Sequence, residues 1–77
     1  MNRKTQWKEQ LLDIVRRRKP DLMLELRQGL QTGFTGEQVA VFRGIVGDEL
    51  AEKGMTDGEL NEWGLQCDDL IDKIGPL

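Results

Sequence analysis

The stretch "GFTGEQVAVF" begins at Gly33, and twenty-one residues later "GMTDGELNEW" begins at Gly54. Both read as helix starts. A threonine N-cap accepts a hydrogen bond from an orphan N–H of the first turn. A Gln or Glu three residues on reaches back to the cap, closing a capping box, and apolar residues at N′ and N4 staple the chain. In the first stretch these are Thr35, Gln38, Phe34 and Val39; in the second, Thr56, Glu59, Met55 and Leu60. Gly33 and Gly54 are placed to end the preceding helices in the left-handed conformation. At the same offset Phe42 meets Trp63, Val46 meets Cys67, Leu50 meets Ile71 and Gly54 meets Gly75. A duplicated helix or shared capping chemistry with shared amphipathic spacing would give this match; the second is favoured, and two units are too few for a solenoid.

The spacing predicts an all-α fold, a compact bundle of four short helices over about 6–19, 22–31, 36–53 and 57–74, with residues 1–77 as a single helical domain. The first helix takes Thr5 as cap, buries Trp7, Leu11, Ile14 and Val15, and stops at Pro20. The second takes Asp21 as cap and buries Leu22, Met23, Leu26 and Leu30, with Leu24 pointing elsewhere. Val39, Phe42, Val46 and Leu50 form the main stripe of the third, widened by Val41 and Ile45. Beside it runs a line of small residues, Ala40, Gly44, Gly47 and Ala51. Interior glycines cost about 1 kcal/mol each, so the line calls for a close neighbour: another helix of this chain, or else the seam of a homodimer. The fourth helix faces Leu60, Trp63, Cys67, Leu70, Ile71 and Ile74 inward, with Gly64 at the edge of that stripe. Leu65 falls instead among Asn61, Asp68, Asp69 and Asp72. Strict alternation is absent, so strands are not expected.

Seventy-seven residues at 38% hydrophobic and 32% charged suit a small globular domain. One cysteine forms no internal disulfide. No apolar stretch is long enough for a membrane span, and the first residues lack the apolar region of a signal peptide. A cytoplasmic protein is expected. The net charge of −3 divides sharply, with +5 on residues 1–20 and −8 on residues 21–77. Such a division marks a partner surface or an internal match between a basic helix and acidic neighbours, and the internal match is favoured.

The chain has neither histidine nor tyrosine, which removes the commonest general base and nitrogen metal ligand. Cys67 reads as an inert core thiol. Asp68, Asp69 and Asp72 lack the ligand pattern of a calcium loop. The expectation is a non-enzymatic protein with no cofactor and no metal. It is a protein-interaction module of inhibitor, immunity, antitoxin or adaptor type. A basic partner would dock on Asp48, Glu49, Glu52, Leu65, Asp68, Asp69 and Asp72, because complementary charge speeds and orients docking. Arg16, Arg17, Arg18 and Lys19 form a candidate contact for phosphate or an acidic partner. "ELAEKGMTDGEL" also has the outline of a helix-turn-helix. Asp57, Glu59 and Glu62 on its second helix would repel a phosphate backbone, so nucleic acid is disfavoured.

"VRRRKPDLMLEL" followed by "FTGEQVAVFRGIVGDELAE" resembles the Hha/YmoA family at Arg16–Arg17, Leu24–Glu25, Ala40–Val41–Phe42 and Leu50–Ala51–Glu52. The likeness covers roughly half the chain and needs a gap between the second and third helices; the C-terminal third does not follow the family. The family's aspartate in the third helix falls on Gly47, with Asp48 alongside. The resemblance implies a small helical modulator of a nucleoid protein, contacting it through Arg16, Arg17 and Asp48.

Overall fold

A computed structural model describes residues 3–75, with side chains from Gln6 onward. The chain forms α1 (Arg3–Arg18), a 3-10 turn (Pro20–Leu22), α2 (Met23–Thr32), α3 (Gly36–Lys53), β1 (Met55–Thr56), β2 (Glu59–Leu60) and α4 (Glu62–Ile74). The four helices make a compact all-α bundle. The central helix, α3, packs against α4 along one side and α1 along another, while α2 lies against α1. The core is Leu11, Ile14 and Val15 from α1, Leu26 from α2, Val39, Phe42, Ile45 and Val46 from α3, and Cys67, Leu70 and Ile74 from α4. No described helix is long and apolar enough to cross a membrane.

The first of the twin stretches behaves as its chemistry dictates. Thr35 Oγ1 accepts from the Gln38 N–H at 3.1 Å, and the Thr35 N–H donates to Gln38 Oε1 at 3.0 Å. Phe34 packs onto the core beside Phe42, with ring centroids 5.3 Å apart. At the other boundaries the structure departs from expectation. Thr5 lies inside α1, which starts at Arg3. Asp21 does not cap α2; it sits in the 3-10 turn, and Leu22 occupies the cap position without a side-chain hydrogen bond. Pro20 fits the start of that turn because its ring fixes φ and its missing N–H is not needed there.

The second stretch is not a helix start. Met55–Thr56 pairs antiparallel with Glu59–Leu60, Met55 opposite Leu60 and Thr56 opposite Glu59. Asp57 (φ 54°) and Gly58 (φ 80°) make the turn. Positive φ at both central positions is what a two-residue hairpin needs, and an Asp-Gly pair supplies it. The helix expected from residue 57 therefore begins at Glu62, capped by Asn61, whose Oδ1 accepts from the Gly64 N–H at 2.8 Å. The Asn61 amide also donates to the Lys53 carbonyl at 3.0 Å and to Thr56 Oγ1 at 3.1 Å, and its backbone N–H donates to the Gly54 carbonyl at 2.9 Å. One residue thus ties the end of α3, the hairpin and the start of α4. Leu60 leaves the expected inward stripe and is 42% exposed on β2.

Glycine geometry follows from this joint. Gly54 (φ −91°, ψ 5°) is not left-handed, and Gly33 (φ 100°, ψ 160°) has positive φ with an extended ψ. Gly54 is required for a different reason: the backbones of Gly54 and Gly64 touch. A Cβ on Gly64 would stand 2.0 Å from the Gly54 carbonyl oxygen, and one on Gly54 would stand 2.7 Å from the Gly64 Cα. Gly44 and Gly47 have nothing within 4 Å of a built Cβ. Gly64→Ala is therefore expected to lower the melting temperature by about 10 °C, since forced backbone separation costs about 2 kcal/mol. Gly44→Ala is expected to raise it by about 5 °C through helix propensity alone. Thermal unfolding followed by circular dichroism checks both signs.

Candidate protein-interaction surface

The basic end of α1 turns inward. Arg16, Arg17 and Arg18 occupy the last turn of α1, where the helix dipole favours cations. Arg17 Nη2 donates to Glu49 Oε2 at 3.0 Å and Arg18 Nε to Glu49 Oε1 at 2.7 Å. The Trp63 indole N–H donates to Glu49 Oε2 at 3.0 Å. Arg17 Nε pairs with Asp13 at 3.2 Å, and Arg18 Nη1 pairs with Glu52. Glu49 is 1% exposed, so both of its oxygens are satisfied out of water by three donors on two other helices. Burial pushes its carboxyl up. The hydrogen bonds from Arg17, Arg18 and Trp63 and the charge of Arg17 outweigh that and bring it down from 4.5 to about 2.

This cluster corrects the expected sites. Glu49 is not part of an acidic surface; it is the buried centre of an ion-pair network. Arg17 and Arg18 are committed to it, and Glu52, though exposed, is paired with Arg18. Arg16, Lys19 and Asp48 remain exposed. The internal match of basic helix and acidic neighbour holds for Arg17 and Arg18. The helix-turn-helix outline fails at its turn, because Met55–Leu60 is the hairpin and the second helix starts only at Glu62.

On α4 the expected face is present. Leu65 is 59% exposed, and Asp68, Asp69 and Asp72 are exposed around it at helical spacing. Asp69 pairs with Lys73 at 3.2 Å, whereas Asp68 and Asp72 form no ion pair among the described residues. Helical spacing also puts Glu62, exposed one turn before Leu65, on this face. Among the described residues no three acidic or thiol groups converge as a metal site.

Among the described residues, the small-residue line of α3 meets no other helix. Ala40, Gly44 and Ala51 are exposed and Gly47 is partly so. The expected intramolecular contact is therefore absent among the described residues. Val41, expected to widen the buried stripe, is 45% exposed. It borders a hollow of about 190 Å³ with Leu22, Glu25, Glu37, Gln38 and Phe42. Cys67 is fully buried, and burial together with the nearby Glu49 charge pushes its thiol pKa up.

No family, curated protein or solved structure matches the chain. The likeness to the Hha/YmoA family stands on its quoted residues alone. Of the positions it implicates, Arg16 and Asp48 are exposed and Arg17 is engaged with Glu49 and Asp13.

Because folding lowers the Glu49 pKa, the network stabilises the native state above the unfolded carboxyl value and loses that contribution as pH falls toward 2. A shift of this size corresponds to about 3 kcal/mol. Glu49→Gln is expected to cost about 2 kcal/mol near neutral pH and to flatten the loss of stability between about pH 5 and 2. Urea denaturation across that range checks this; parallel profiles for the two proteins would contradict it.

Proposed function

We propose that this chain is a non-enzymatic, cytoplasmic protein-interaction module that docks a basic partner through the outer face of α4. The reading rests on one observation: Leu65 stands 59% exposed inside a ring of carboxylates, of which Asp68 and Asp72 form no ion pair among the described residues. An exposed leucine by itself is ordinary. One ringed by uncompensated like charge gives a partner both an apolar anchor and a field that steers a cationic surface toward it. The face sits on a helix locked at its start by Asn61 and along its length by the core, so little ordering is left for docking to impose. Glu62 extends the acidic ring; Glu49 and Glu52 belong to the network behind it.

The test is site-specific photocrosslinking in the protein's own cells. A photoreactive residue at Leu65 is expected to give a discrete covalent adduct with a second polypeptide. The same residue at Gln31, exposed on α2, is expected to give none of that mass. Asp68→Lys with Asp72→Lys is expected to abolish the adduct while leaving the helical circular dichroism unchanged. Adduct formation indifferent to the charge reversal, or absent at Leu65, would remove the proposal.

A further inference from the structure

The two most exposed large apolar side chains of the described residues are Leu24, at 71%, and Leu65, at 59%. Their surroundings are opposite in sign. Leu24 borders a shallow hollow of about 410 Å³ with Arg16, Pro20, Asp21, Met23 and Arg27. Arg16 and Arg27 are exposed and form no ion pair among the described residues, so two guanidinium groups stand against the one carboxylate of Asp21. Leu65 stands among Glu62, Asp68, Asp69 and Asp72, with Lys73 on Asp69. α2 lies against α1, and α4 lies mainly against α3. The two patches therefore sit on different parts of the bundle.

We propose that a second copy of this chain occupies the acidic face, presenting its Leu24–Arg16–Arg27 patch to Leu65, Asp68 and Asp72. This deepens the reading of the α4 face as a docking surface and rests on it. The argument is charge complementarity carried by one sequence: the chain displays an anchor in an acidic ring and an anchor between two arginines. A contact between two different patches is heterologous. It runs head to tail, and each pair keeps one free patch of each kind for the next copy. The area around two single leucines is small, so the contact is weak and salt-sensitive.

The test uses the purified chain in sedimentation-equilibrium measurements between about 0.02 and 1 mM. The wild-type protein is expected to show an average mass that rises with concentration and falls back at about 0.5 M salt. Leu24→Asp and Leu65→Lys, each at an exposed site, are expected to be monomeric with unchanged circular dichroism. Their equimolar mixture is the decisive sample. The intact acidic face of the first variant meets the intact basic patch of the second, and growth stops at one pair, so the mass rises toward twice the monomer and no further. A monomeric wild type overturns the proposal. So does association that survives either substitution or high salt, or a mixture that stays monomeric. A photocrosslinked adduct of foreign mass at Leu65 alongside a monomeric purified chain would leave the docking face standing and remove self-association.

Discussion

A single buried carboxylate holds the bundle's three long elements in register. Glu49 lies on α3, its cationic partners lie at the end of α1, and its indole donor lies on α4. Removing a carboxylate from water costs several kcal/mol unless its lone pairs are met. Here they are met by donors from two directions, which fixes the end of α1 and the start of α4 along α3. A purely apolar contact at this point would tolerate sliding by a turn. The network would not, because a shift by one turn would leave the charge buried without its partners.

At the other joint the constraint is steric. The carbonyl of Gly54 lies where a side chain of residue 64 would be, so α3 and α4 approach to backbone contact at the hairpin. Asn61 gathers the polar groups that such a tight corner would otherwise strand: the Lys53 and Gly54 carbonyls, the Thr56 hydroxyl and the Gly64 N–H. The hairpin lengthens the α3–α4 connection without loosening it. α4 starts later as a result, and its outer face is a short one running from Glu62 through Asp72.

Much of this was legible in the sequence. Periodicity gave the four helices and nearly all of the buried stripes, and the Thr35 capping box marked the start of α3 without error. The twin stretch misled because Thr56 and Glu59 satisfy the same local pattern as Thr35 and Gln38. The discriminating signal was the Asp57–Gly58 pair, which favours two consecutive positive φ angles, together with Asn61 as a competing cap. Charge alone grouped Glu49 with Asp48 and Glu52 on the acidic surface. Helical spacing argued otherwise, since Glu49 stands seven, four and three residues after Phe42, Ile45 and Val46 of the buried stripe, but only tertiary packing brings Arg17 and Arg18, more than thirty residues away, onto its oxygens. The small-residue line on α3 lies exposed, and no helix of the described residues covers it, because composition reports what a face would tolerate and not what lies across from it.

The surface follows from what the network consumes. Of the acidic residues expected outside, Glu49 is buried and Glu52 is paired; of the basic ones, Arg17 and Arg18 are spent on them. Among the side chains that remain exposed are two leucine-centred patches of opposite sign, around Leu24 and around Leu65. The account therefore stands on the ionised state of Glu49 inside the bundle. Carbon-13 NMR of the glutamate side-chain carboxyls, titrated from about pH 6 to 3.5, reads that state directly. The account predicts that the Glu49 resonance stays at its ionised position across that range. A Glu49 midpoint near the ordinary value of 4.5 would contradict it.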